Sequence, residues 1–352
     1  MANEISIYEP RTMAGVVKRV APIGTFFRTT FFTKITTHPT KKIDVDFKKG
    51  NRKLAPFVSE VKGGKTVPNT GFITNTYTPP LVAPNKITTI DDILTRAPGE
   101  SLYNAYSPQE RAIIKMRDDL AELDEMTQRR IEYMCSTAMT TGKIPVIGDG
   151  VNYEIDFGFE NYEEITTLTL KWSDRINSRP LEDISRYKRI VQQKGFVNCD
   201  VLVLGASAAD DFLNNETVLK QLDVKNADLA VIKPLDLPNG ATYLGRLSKE
   251  NLSVYVYNEW YLDDWTDPET PVEKPLMPED SIMLASTKAN YTLNFAVLAV
   301  LDPQTRMFTS YEAEKVAHTY IKHNPDRRII QLDSRPLPTP NEVNSWYVAK
   351  VR

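Results

Sequence analysis

The stretch LGASAAD places Ser207 between a strand-like and a helix-like segment, the setting in which a hydroxyl can be raised for nucleophilic attack. Serine hydrolases carry G-x-S-x-G there, and this chain has Ala209 at the fifth position. The serine would need a base, and only His318 and His323 follow it. The competing reading makes Ser207 the cap of a helix beginning near Ala208. DDWTD brings Asp263, Asp264 and Asp267 together, enough carboxylate to attract a divalent cation. No second acidic cluster and no EF-hand spacing accompanies it, so a solvated acidic loop is the plainer reading. His38, His318 and His323 lack zinc spacing, and no Walker loop or G-x-G-x-x-G occurs. Cys135 and Cys199 form no C-x-x-C and read as reduced, buried thiols of a cytosolic protein.

One further segment could act by charge. Between Lys41 and Lys65 eight basic residues face three acidic ones. Such a run can bind nucleic acid electrostatically. It lacks the interleaved aromatics that base stacking needs. Three readings remain: a serine hydrolase centred on Ser207, a nucleic-acid-associated protein using residues 41–65, and a protein whose work is contact.

The elements that carry these residues favour contact. The chain has 352 residues, 41% hydrophobic and 25% charged, with a net charge of -3. It can bury a large core without disulfide or metal staples. MANEISIYEP has no basic-then-apolar leader, and no apolar run reaches membrane-spanning length. Phe26, Phe27, Phe31 and Phe32 crowd an N-terminal arm that must dock on its own body or on a neighbour. Ile43, Val45 and Phe47 alternate with Asp44 and Asp46 as a half-buried strand does. KKGN and KGGK then supply turns. Folded back, this stretch would reach roughly 40 Å at ~3.3 Å per residue, longer than a connection requires.

SPQE gives Ser107 as cap, Pro108 at the first helical position and Glu110 as its reciprocal partner. Ile113, Met116, Leu120, Leu123, Thr127, Ile131, Met134 and Ala138 follow at spacings of three and four, and Gly142 closes the run. The pattern predicts a helix of about 32 residues, some 48 Å at ~1.5 Å per residue. A second helix is predicted over Pro180 to Gly195, with acids early and bases late. VLVLGASAADDFLNN reads as strand, turn and helix. LSVYVYNEW, IMLAS and FAVLAVL read as strands, the last one buried. Leu262 to Asp280 reads as a Pro- and acid-rich loop, and the C-terminus as two strands around a proline bend. Without regular βαβ alternation the class is α+β.

In this order the features resemble the major capsid proteins of tailed bacteriophages, the lambda-type family (phage major capsid protein E) in particular. FFRTTFFTKITTHPTKKIDVDF is similar to that family's arm and first strand. LAPFVSEVKGGKTVPNTGFITNTYTPPLVAPNKIT resembles its extended loop, and the SPQE helix its spine helix. YEIDFGF, LMPEDSIMLAS and RRIIQLDSRPLPTPNEVNSWYVAKV resemble its later strands. The glycine usual after an aromatic in the late strand is missing from TKANYTLNFAVLAV.

The resemblance implies a Hong Kong 97-type capsid fold: arm 1–35, extended β-hairpin loop 36–85, peripheral domain 86–195 with 292–352, and axial domain 196–291. It implies a structural protein of the virion, without catalysis or cofactor, that forms hexamers and pentamers of an icosahedral head assembled in the host cytoplasm. The implied partners are copies of itself and scaffolding, portal and, in some relatives, decoration proteins, with DNA enclosed without sequence-specific binding and no membrane. Expected inter-subunit contacts are Lys48, Lys49, Arg52, Lys53, Lys62 and Lys65 in the loop and Phe26, Phe27, Phe31 and Phe32 in the arm. Glu100, Asp118 and Asp119 are the acids these bases would meet.

Overall fold

The computed structural model describes residues 25–47, 54–55, 57, 63–64, 66, 73–95, 106–218, 235–247, 249–267, 269–301, 307–324 and 326–352. Its organising element is the helix Pro108–Thr141, 34 residues long. Local chemistry sets both ends. The Ser107 N–H donates to Glu110 Oε2 at 2.7 Å and the Glu110 N–H returns a bond to Ser107 Oγ at 3.3 Å. Each satisfies a backbone donor that the first turn leaves open. At the other end Gly142 has φ +72° and donates to the Ala138 carbonyl at 3.1 Å. A Cβ at Gly142 would lie 2.1 Å from Phe159 Cβ, so both backbone and space demand glycine there. Ser107→Ala should cost about 1 kcal/mol of stability, read as a lower denaturant midpoint with an unchanged slope.

The chain divides into two compact units, interleaved in sequence, and the division falls between Cys135 and Ser136 inside that helix. The first unit comprises residues 1–43, 78–135 and 293–338. There Met116, Leu120 and Leu123 pack on Ala317, Ile330 and Leu332. Those last three belong to a three-stranded antiparallel sheet of Val316–Lys322, Arg327–Asp333 and Asn85–Thr88, in that order. Most of the apolar stripe read from sequence is buried here as expected, but Ile113 is 44% exposed.

The second unit comprises residues 44–77, 136–292 and 339–352. Its centre is a seven-stranded mixed sheet: Tyr162–Glu164, Trp346–Lys350, Ser281–Ala285, Val201–Leu204, Leu252–Tyr257, Ala241–Leu247 and Leu235–Asp236. The pairs Val201–Leu204 with Leu252–Tyr257, and Trp346–Lys350 with Tyr162–Glu164, run parallel. VLVL is buried at all four positions, and on one face Leu202 and Leu204 share a core with helices Pro180–Gly195 and Ala206–Leu213 through Ile184, Tyr187, Val191 and Phe212. The first of these helices has the bounds read from sequence.

Three readings change. Leu262 to Asp280 is no simple loop, because Trp260–Asp263 runs into it and pairs as a hairpin with Val272–Pro275. FAVLAVL is not one buried strand. Phe295 ends the strand Tyr291–Phe295, and Leu298–Leu301 pairs separately with Phe308–Tyr311, Ala299 and Leu301 being exposed. The proline bend is itself a strand, Pro336–Pro340, so three C-terminal strands replace two. It lies at one margin of a sheet with Tyr291–Phe295 and Lys34–Thr37, where proline's missing donor is tolerated.

Candidate assembly surfaces

The strands Ile43–Phe47 and Ile73–Tyr77, at the two ends of the segment expected to form the extended loop, pair as a two-stranded sheet. Ile43 and Val45 are buried and Asp44 and Asp46 exposed, as the alternation requires. Thr76 Oγ1 donates to Asp44 at 2.6 Å and Thr74 Oγ1 to Asp46 at 2.5 Å. Tyr77 packs against Phe47 and Phe157 with ring centroids 6.4 and 5.5 Å away, and its hydroxyl donates to the Asp156 carbonyl at 3.2 Å. Beyond this firm root the character changes. Leu54 is 92% exposed and Phe57 fully exposed. Lys48, Lys49, Arg52, Lys53, Lys62 and Lys65 lie outside the described residues, as does Glu100.

Residues 1–24 of the arm lie outside the described residues, and the four phenylalanines after them are turned into their own subunit. Phe26, Phe27, Phe31 and Phe32 are all buried to within 2%. Phe26 meets Phe27 and Phe31 edge-on at 5.8 and 6.2 Å. Their surface is spent inside the subunit, so they dock the arm on its own body. The helix Phe26–Thr30 has no side-chain cap of its own. Instead Glu132, on the long helix and 1% exposed, accepts the Phe27 N–H at 2.7 Å and the Arg28 N–H at 3.0 Å. A carboxylate there satisfies two orphan donors and meets the positive end of the peptide dipoles. Nearby, Arg28 pairs with Glu314 at 3.3 Å and Lys315 with the buried Asp124, which also accepts from the Gln128 amide at 2.6 Å. Burial lowers the pKa of Lys315, opposed by the Asp124 carboxylate. These buried charges were missed in the sequence. The only signal was the spacing of four that links Asp124, Gln128 and Glu132 beside the apolar stripe.

Of the acids suggested as meeting the hairpin, Asp119 is 3% exposed and sits within 3.5 Å of Lys86 and 3.4 Å of Lys115. It is committed within its own subunit. Asp118 is exposed beside Arg117.

The catalytic alternative finds no constellation. Ser207 is the second residue of a helix whose cap is Gly205, so the cap lies two residues before the position that the capping reading gave to Ser207. A Cβ at Gly205 would stand 2.3 Å from the Pro278 carbonyl oxygen. The Ser207 hydroxyl donates to Glu279 at 3.2 Å. His318 lies 3.7 Å from Asp333, its charged form disfavoured by burial, and His323 pairs with Asp326 at 2.9 Å. A fluorophosphonate probe should leave Ser207 unlabelled, and Ser207→Ala should move stability by no more than about 1 kcal/mol. Asp263 is tied to Lys274 at 2.6 Å and to Thr266, and Asp267 to Thr270, so two of the three carboxylates are engaged by neighbouring side chains. Among the described residues no group of three or more His, Cys, Asp or Glu could hold a metal. Cys135 and Cys199 are free and buried, and burial pushes the Cys199 thiol up to about 12. No described helix is long and apolar enough to cross a membrane.

A family model described as phage major capsid protein E matches residues 9–351. The chain belongs to the phage major capsid protein E family. The major capsid protein of Enterobacteria phage P21 is 23% identical over 358 residues, covering 99% of this chain and 100% of that one. That of Escherichia phage N15 is 22% identical, covering 95% and 96%. Among solved structures, a crystal structure described as a capsid protein of an E. coli CFT073 prophage superposes with TM-score 0.68 at 18% identity, covering 97% of this chain and 99% of that one. The cyanophage A-1(L) capsid subunit gives 0.52 at 11%, covering 100% and 97%. The major capsid protein E fold is therefore the α+β, Hong Kong 97-type fold that the sequence resembles, and the chain's role is structural rather than enzymatic.

Proposed function

We propose that copies of this subunit form the hexamers and pentamers of an icosahedral phage head, each laying its hairpin on a neighbour. The observation that carries this is the contrast along the hairpin. Its root is held by paired side chains, yet Leu54 and Phe57 beyond it expose nearly all of their apolar surface. Large apolar groups on a firmly rooted projection are covered by something outside the subunit. Lys48, Lys49, Arg52, Lys53, Lys62 and Lys65 flank them and would pair with acids of the neighbour. The hairpin and the surface that receives it differ, so the contact is head-to-tail and closes as a ring.

In the shell the chain is divided into an arm (1–35), an extended loop (36–85), a peripheral region (86–195 with 292–352) and an axial region (196–291). These are surface regions rather than separate cores, since the seven-stranded sheet draws on both of the last two. Scaffolding and portal proteins and enclosed DNA complete the assembly in the host cytoplasm. A net charge of -3 suits a container wall from which DNA must stay free. Electron microscopy of the expressed protein tests this: shells, tubes or ring-shaped capsomers are expected, and a field of dispersed single subunits at every concentration and salt would overturn it.

A further inference from the structure

The first compact unit carries a groove of about 250 Å³ between the helix Ile90–Leu94, the first turns of the long helix and the strands Val316–Lys322 and Arg327–Asp333. Ile90, Ile93, Met116, Ile321 and Ile330 line it. Its rim is uncovered: Ile90 is 66% exposed, Ile321 55%, and Leu94, on the same short helix, 63%. The volume lies below the roughly 300–1,000 Å³ usual for small-molecule sites and suits one or two side chains. Asp326, which also pairs with His323, is among the lining residues, and the helix carries exposed Asp91 and Asp92. Arg327 and Arg328 line the strand side.

We infer that this groove receives Phe57 and Leu54 of a second copy of the chain, which rests on the assembly reading above and names its receiving site. The two side chains are three residues apart, large, apolar and unburied in their own subunit. An aromatic anchor in a fitted apolar groove is the usual centre of a protein interface. Arg52 and Lys53 precede Leu54 directly, so a seated Leu54 and Phe57 bring two cations to a groove lined in part by Asp326, beside a helix that carries the exposed Asp91 and Asp92. Phe57 lies ten positions after Phe47 at the root, a span of up to roughly 33 Å at the rise of an extended chain, enough to reach another subunit. Knob and groove sit on different parts of one chain, which gives a ring rather than a closed pair.

The test places p-benzoylphenylalanine at position 57, irradiates assembled shells and maps the adducts by mass spectrometry. Interchain adducts to Ile90, Ile93 or Ile321 are expected. Interchain adducts elsewhere would overturn the groove while leaving the hairpin's reach to a neighbour intact. Only intrachain adducts, or none, in intact shells would overturn both. Should the probe at 57 block assembly, the same probe replaces Ile321, where adducts to residues 54–57 of another chain are expected and adducts elsewhere contradict the inference. Ile321→Asp and Phe57→Ala should each lower shell yield about tenfold, and the double variant no further, since both remove one contact. Multiplicative losses would count against a shared contact.

Discussion

Replacing Lys48, Lys49, Arg52 and Lys53 together by alanine should abolish or reduce shell formation by at least about tenfold while the subunit stays folded. Each exposed ion pair contributes only about 0.2–1 kcal/mol. Four per contact sum to roughly 1–4 kcal/mol, and every subunit both gives and receives a hairpin, so the loss recurs around each ring. Since about 1.4 kcal/mol is a factor of ten in an equilibrium, the assembly threshold moves sharply even though the single contact is modest. The root is untouched, because Asp44–Thr76, Asp46–Thr74 and the Tyr77 packing do not involve these residues. Circular dichroism and the thermal midpoint should therefore match the parent, while particle counts fall. The Lys→Arg counterpart keeps charge and should assemble. Raising salt should mimic the alanine variant, since the Debye length shrinks to ~3 Å at 1 M. Unchanged yield in the alanine variant would remove the hairpin's charge from the assembly mechanism.

The second large effect is internal. Glu132→Ala removes the acceptor of the Phe27 and Arg28 amides, both donated to a nearly inaccessible carboxylate. Each buried donor left without a partner costs about 1–3 kcal/mol, so a loss of about 3 kcal/mol or more is expected. The arm should detach first, exposing four phenylalanines that otherwise contribute to the core. Limited proteolysis should then cut near Thr25 to Phe32, and a dye that binds exposed apolar surface should brighten. Glu132→Gln retains an oxygen that accepts one of the two bonds and should cost about half as much. An Ala variant with parental protease resistance and stability would show that the phenylalanines alone hold the arm.

The features legible in the sequence were those specified by local chemistry. SPQE and Gly142 marked both ends of the long helix because caps depend on neighbouring residues alone. The alternation of IDVDF gave the hairpin root because a strand's period is two. What was hidden depended on distant partners. Glu132 reads as a solvent-facing charge until the arm, 105 residues earlier in the chain, brings two amides to it. The four phenylalanines announced a docking need but not its target. FAVLAVL is apolar throughout and so carries no period by which to divide it between two strands. PLPTP reads as a bend because proline removes ladder donors, and only its position at a sheet margin makes it a strand. Ser207 had the right local setting for a nucleophile, and only the placement of Glu279 beside it showed where its hydroxyl is spent.

The central claim is that the segment beyond Phe47 covers a neighbouring copy rather than its own body. A reconstruction of the assembled shell, resolved well enough to trace residues 48–72 from the root at Phe47 to the return at Ile73, tests it most directly. The expected density lies across the adjacent subunit, with Phe57 against apolar side chains of that subunit. Density that folds back onto the subunit of origin, with the neighbour's surface bare, would contradict it.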